Sequence, residues 1–169
     1  MSSEGAQSRM APVSSEEFRR ACGRFVTGVT IASVVDREGG PRGLTVSSFT
    51  SVSLDPPLVL ICLGHAVTNI DDFRRARYFG ISILREREEH TASRFAQKGH
   101  DRFEGVDWLL GETGVPLLAH ALASIECAVY QRFPSGDHDI LIGEVVRTCV
   151  NDGHPLLYFA RRYGRLAQD

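Results

Sequence analysis

The chain has 169 residues, 43% of them hydrophobic and 24% charged, and its 19 lysines and arginines stand against 21 aspartates and glutamates for a net charge of −2. That length suits one domain with its own core, and the balanced charge and ordinary polarity exclude a nucleic-acid-coating protein and a disordered chain. Sixteen glycines and seven prolines, set beside nine phenylalanines, four tyrosines and one tryptophan, fit many short strands joined by turns.

Residues 1–13 (MSSEGAQSRMAPV) are small and polar and lack the apolar stretch of an export signal, so a flexible arm is expected there and an ordered domain over 14–169. Ser14, Ser15, Glu16 and Glu17 fit a helix-starting capping box. Phe18, Cys22 and Phe25 then fall at i, i+4 and i+7, a stripe expected to dock this helix on a sheet. Val29 to Val35 is rich in β-branched residues, Asp36 to Arg42 supplies a turn, and Gly43 to Leu54 reads as the return strand. After Pro56 and Pro57, Leu58 to Leu63 (LVLICL) reads as a fully buried central strand. Helical spacing over Thr68 to Arg77, a strand over Tyr78 to Leu84 and a second helical stretch over Glu86 to Gln97 follow. Ala121 to Phe133 and Asp139 to Val150 are two long β runs joined by a Gly-containing turn, and Pro155 to Phe159 makes a last short strand. Six or seven antiparallel strands with inserted helices and no βαβ rhythm predict a mainly β protein, a Greek-key barrel rather than a doubly wound sheet.

No run approaches the roughly 18 apolar residues of a membrane span, so a soluble, cytoplasmic protein is expected. Cys22, Cys62, Cys127 and Cys149 are widely spaced and read as reduced thiols. Cys62 and His65 form a pair at ligand-like spacing, but with no second pair nearby no metal is expected. Neither a G-x-G-x-x-G following a strand nor a G-x-S-x-G elbow occurs, and the adjacent acids Asp71–Asp72 and Glu88–Glu89 read as helix charges.

Four features remain that chemistry can use. Thr45 to Ser53 (TVSSFTSVS) offers hydroxyls that, with backbone amides, suit a phosphate or a flavin edge, and describes equally well a solvated strand face. Ser135-Gly136-Asp137-His138 puts an imidazole on a turn, where it is either exposed or functional. Arg94 to Trp108 interleaves cations with Phe95, Phe103 and Trp108, as a planar phosphorylated ligand would require or as a solvated helix with an aromatic anchor would show. Arg161, Arg162 and Arg165 around Tyr163 form a basic tail that meets either a dinucleotide phosphate or only water.

Taken together, GLTVSSFTSVSLDPPL at 43–58, RFAQKGHDRFEGVDW at 94–108 and GDH at 136–138 resemble the short-chain flavin reductases of two-component flavin-dependent monooxygenases, in the FMN-binding split-barrel superfamily. The resemblance runs from about Phe18 to Leu166. It implies a split β-barrel, a homodimer with flavin near the subunit interface, NADH or NADPH as reductant, and FMN or FAD as acceptor. Under it, Gly43, Thr45, Val46, Ser47 and Ser48 match the flavin-binding strand, and Cys62, Leu63, Gly64, Thr68 and Asn69 match the stretch that reaches the flavin tail. Lys98 and Phe103 are further flavin contacts, His138 matches the nicotinamide-side histidine, and Arg161 and Tyr163 match a C-terminal segment that holds the nucleotide. The implied reaction is hydride transfer to flavin N5, with reduced flavin leaving for a partner oxygenase. A tightly bound electron-transfer flavoprotein and a non-catalytic flavin-binding or flavin-free barrel are the competing classes.

Overall fold

The computed structural model describes residues 11–99 and 101–167. The arm expected over 1–13 therefore falls mostly outside the described residues; Ala11 to Val13 are exposed and irregular.

Helix α1 (Ser15–Cys22) starts as expected, with the Ser14 hydroxyl accepting from the Glu17 amide and the Glu17 carboxylate accepting from the Ser14 amide. Its apolar stripe does not dock on this chain. No α1 residue is buried, and Phe18 and Phe25 are 60% and 77% exposed.

The strands follow as β1 (Thr27–Gly28), β2 (Thr30–Val35), β3 (Pro41–Val46), β4 (Thr50–Leu54) and β5 (Pro57–Gly64). Helix α2 (Ile70–Arg75), β6 (Tyr78–Ile83) and helix α3 (Glu89–Ala96) come next. The chain continues through β7 (Trp108–Leu110), β8 (Pro116–Leu118), β9 (Ala123–Ser135), β10 (His138–Val150), β11 (Leu157–Phe159) and β12 (Arg162–Gly164). Seven of these twelve described strands form one antiparallel sheet in the order β3-β2-β6-β9-β10-β5-β4. The strand count thus exceeds the six or seven expected, because β1, β7, β8, β11 and β12 are two- and three-residue pieces in small sheets of their own.

The expected single strand over Gly43 to Leu54 is two strands. β3 and β4 lie on opposite edges of the large sheet, and 47–49 cross between them. Ser48 bridges that crossing to β5: its hydroxyl accepts from the Cys62 amide (2.9 Å) and donates to the Cys62 carbonyl (3.2 Å). β5 is next to the edge and alternates, with Val59, Ile61 and Leu63 buried and Leu58, Leu60 and Cys62 half-buried, so it is not buried on both faces as LVLICL suggested. In the large sheet β2 is buried on both faces, as is its neighbour β6 over Phe79 to Ser82, and β2 shows what the two faces meet. One of its faces meets a core that includes Val46, Ile61, Leu63, Phe73 and Phe79, while Ile31 on the other meets Ala92, Phe95, Phe103 and Leu118. Burying two such layers is the main stabilising term of a barrel this size.

Candidate active site

Two strand ends and the connection between them organise the site. At the end of β5 the chain leaves through 65–69 into α2, and at the start of β10 the hairpin from β9 enters beside it. The hairpin loop is tighter than expected: Ser135 pairs with His138, leaving Gly136 and Asp137 at the tip, and Gly136 adopts the left-handed backbone (φ 63°) that its missing Cβ permits.

A cleft of about 130 Å³ opens beside β3. It gathers Gly43, Thr68, Asn69 and Phe103, all anticipated, with Arg42, Asp72 and Arg102, which were not. Gly43 is required by its surroundings, since a Cβ there would lie 3.0 Å from the Ala32 carbonyl and 3.1 Å from the rings of Phe95 and Phe103. Its carbonyl accepts from Asn69 Nδ2 (3.3 Å) and Arg102 Nη1 (2.6 Å). Arg102 also donates to the Gln97 carbonyl (2.9 Å) and the Thr68 hydroxyl (3.4 Å), and burial lowers its pKa. It stays cationic at neutral pH, yet among the described residues it has no carboxylate partner. Asp72, by contrast, is paired with Arg75 at 2.9 Å. The Asn69 Oδ1 atom is buried without any hydrogen-bond partner. A buried cation lacking an anion and a buried acceptor lacking a donor are together what a bound phosphate and hydroxyl chain would satisfy.

At the other end of the 65–69 connection, His138 pairs across the sheet with Gly64, and a Cβ on Gly64 would meet His138 Nε2 at 3.5 Å. His138 Nδ1 lies 2.7 Å from Asp137 Oδ1, which holds the Asp137 carboxyl below its ordinary pKa. The imidazole is exposed, with Nδ1 engaged at the turn.

Other anticipated residues serve packing. The Thr45 hydroxyl is spent on the Ala92 carbonyl (2.6 Å), Val46 and Leu63 lie in the barrel core, and Phe103 stacks edge-on to Phe95 and Trp108 at 4.8 and 5.7 Å. These side chains can border a ligand but are not free to hydrogen-bond to one. Ser47 is exposed and its hydroxyl bonds to nothing among the described residues. Lys98 is exposed, next to Gly99 at the cleft. Of the Cys62–His65 pair, Cys62 bonds through its backbone to Ser48 and His65 Nε2 lies 2.8 Å from Asp139 Oδ1.

Arg161 and Tyr163 sit apart, on the β11–β12 hairpin, where Tyr163 packs on Tyr158 (5.3 Å between centroids). The two loop residues, Ala160 and Arg161, both have positive φ (46° and 66°) although neither is Gly or Asn. A two-residue loop of this kind normally takes Asn-Gly, and each such non-glycine residue costs roughly 1–2 kcal/mol.

Missing from the anticipated set are Arg102 and Arg42. Arg102 directly precedes Phe103 in the basic-aromatic segment, and that adjacency was its one trace in sequence.

The candidate site is thus a polar, cationic cleft on an antiparallel barrel with an imidazole-bearing hairpin at the other end of the 65–69 connection. The chain belongs to the family of the flavin reductase like domain, which it matches over residues 22–167. It is 39% identical to an NADH-dependent FMN reductase of Agrobacterium fabrum over 91% of this chain and 87% of that one. It is 38% identical to the reductase component of a 4-nitrophenol 4-monooxygenase/4-nitrocatechol 2-monooxygenase of Rhodococcus opacus, covering 94% of this chain and 84% of the other. The solved structure of the NADH:FAD oxidoreductase of Streptomyces globisporus, in complex with NAD and FAD fragments, superposes with a TM-score of 0.86 at 41% identity, over 91% of this chain and 93% of that one. Among the described residues, no helix is long and apolar enough to cross a membrane.

Proposed function

We propose that this chain is an NAD(P)H-dependent flavin reductase that supplies reduced FMN or FAD to a partner flavin-dependent monooxygenase. The observation that carries the reading is the cleft, in which, among the described residues, Arg102 has no counter-anion and Asn69 Oδ1 no donor, inside a chain of the flavin reductase family. When both are bound, the cofactors supply the chemistry, a hydride passing from nicotinamide C4 to flavin N5.

The protein's part is to bind and align. Arg102 and Thr68 hold the flavin phosphate, Asn69 Oδ1 accepts from the ribityl hydroxyls, and Gly43 lets the Phe95 and Phe103 rings pack against β3 behind the cleft while its carbonyl orients Asn69 and Arg102. The amides and hydroxyls of Ser47 and Ser48, with the β5 end at Cys62 to Gly64, border the ring. Lys98 flanks the phosphate end. His138 orients the nicotinamide from the hairpin and is not required as a proton donor. Arg161 meets the nucleotide's phosphates, a role supported by the strained turn that presents it and by Arg19, Arg20 and Arg24 on the same cleft of about 570 Å³. Tyr163 supports that turn. The need for few reactive side chains follows, since alignment of two reactants supplies most of the acceleration.

The reading extends to a flavin reductase domain over 14–169 that works as a homodimer in the cytoplasm. A second copy is supported by β4, an edge strand with Val52 and Leu54 exposed, the latter at 96%, and by the uncovered apolar stripe of α1. The test is oxidation of NADH and of NADPH with FMN, FAD and riboflavin supplied separately. Flavin-dependent oxidation is expected, and its absence with all three acceptors would end the proposal.

A further inference from the structure

Below the nicotinamide-side hairpin lies a polar cluster to which the reaction assigns nothing. Asp139, the second residue of β10, is nearly buried, and its two carboxylate oxygens reach two different elements. Oδ1 lies 2.8 Å from His65 Nε2, on the connection that follows Gly64, and Oδ2 accepts from Arg74 Nε at 2.8 Å, on α2. The backbone adds a third tie, the His65 amide donating to the Asp137 carbonyl at 2.9 Å. Three consecutive residues of the hairpin are thus held to two consecutive residues at the end of β5, its last residue and the one that follows: Asp137 and Asp139 to His65, and His138 in register with Gly64.

We propose that Asp139 is a positioning residue for the hydride-transfer reaction, fixing the end of β10 from behind so that His138 stands over Gly64. This rests on the nicotinamide-side role given to His138 above. Neighbouring residues along a strand point to opposite faces, so Asp139 faces α2 while His138 faces outward. The carboxylate therefore acts through the backbone it anchors and touches neither cofactor. Arg74 is the first cause holding the Asp139 carboxyl below its ordinary pKa, burial opposes it, and His65 adds to the lowering. The group is thus an anion across the working range, able to hold both partners.

The nicotinamide side should feel this clamp more than the flavin side. Helix α2, which follows Asn69, has its own anchors: Ile70 and Phe73 are buried in the barrel core, and Arg132 on β9 donates to the carbonyls of Phe73 (3.3 Å) and Ala76. Those contacts survive when Asp139 loses its charge. The Arg132 contacts also hold the β9 arm of the hairpin, but the β10 arm, whose tip is exposed through His138, is held next to His138 by Asp139 and by the backbone pairing of 137–138 with 64–65.

The experiment is a double-mutant cycle between Asp139→Asn and His138→Ala, read by the KM for NADH and by NAD⁺ and FMN affinities from calorimetry. Asp139→Asn is expected to raise the KM for NADH and weaken NAD⁺ about tenfold, to change FMN affinity less than about twofold, and to add nothing when His138 is already Ala. Additive effects in the cycle, or equal loss of FMN and NAD⁺ affinity, would overturn the proposal. If Asp139→Asn does not fold, His65→Asn and Arg74→Gln, at half-exposed positions, each remove one arm and must show the same split in smaller degree. Should His138→Ala alone leave nicotinamide binding untouched, it is the role of His138 that fails, and the cycle separates that result from failure of the clamp.

Discussion

Replacing Arg102 by Met removes the cleft's unpaired cation while keeping most of the aliphatic volume beside Phe103. A guanidinium has five N–H donors; the Gly43 and Gln97 carbonyls and the Thr68 hydroxyl take one each, and the rest are left for an anion. A hydrogen bond to a charged group contributes about 1.5–3 kcal/mol, which corresponds to about 10- to 150-fold in affinity. The assay is Kd and KM for FMN, FAD and riboflavin, of which riboflavin lacks the phosphate. FMN and FAD are expected to lose within that range while riboflavin changes less than about threefold. Equal losses for all three would refute the reasoning. They would mean that Arg102 serves only to tie Gly43, Gln97 and Thr68 together, and a matching drop in melting temperature would identify that structural role.

Further outcomes follow from the same geometry. His138→Ala should raise the KM for NADH more than it weakens flavin binding, as steady-state kinetics and flavin titration would read; the reverse order would remove His138 from the nicotinamide side. Burial, with Glu126 adjacent, pushes the Cys127 thiol up to about 12, so a thiol reagent at neutral pH should label the exposed Cys22 and Cys149 and reach Cys127 only after unfolding. Bound FMN should slow labelling of the half-buried Cys62, and mass spectrometry of the labelled peptides checks both. Burial raises the pKa of Glu126, but the Thr113 hydroxyl and the amides of Thr113 and Glu112 outweigh it, leaving the carboxyl below its ordinary value. A depressed carboxyl lets the unfolded chain take up protons first, so its stabilisation is present above the ordinary carboxylate range and lost as pH falls through it. The gap in unfolding free energy between the native chain and Glu126→Gln should therefore narrow on acidification, and a constant gap in denaturant titrations would contradict this.

Local signals were legible where one short segment decides its own shape. The Ser14–Glu17 capping box and the β2–β3 and β9–β10 hairpins are of this kind, because their turns and caps are written in adjacent residues. The division of 43–54 was not legible, since TVSSFTSVSL holds no Gly or Pro to mark a break, and the crossing from β3 to β4 is tied through Ser48 to Cys62, which is distant in sequence. Nor was the β7–β8 hairpin, whose three-residue strands are too short to show a period and whose loop is organised by Glu126 from a distant strand. The stripe expected on α1 holds for Phe18 and Cys22 but not for Phe25, since the helix ends at Cys22, and it is uncovered on this chain because periodicity says which face is apolar and not what meets it. The site shows the same division. Motif resemblance pointed to Gly43, Thr68 and Asn69, whereas Arg102 looked like one more solvated charge in a balanced segment until the fold buried it.

The most direct measurement is anaerobic turnover of the purified chain with NADH and excess FMN or FAD, followed by separation of protein from small molecules. Bleaching of the flavin in step with NADH consumption, with the reduced flavin recovered free of the protein, is the predicted result. Reduced flavin that stays with the protein, or NADH left unconsumed, would contradict the account.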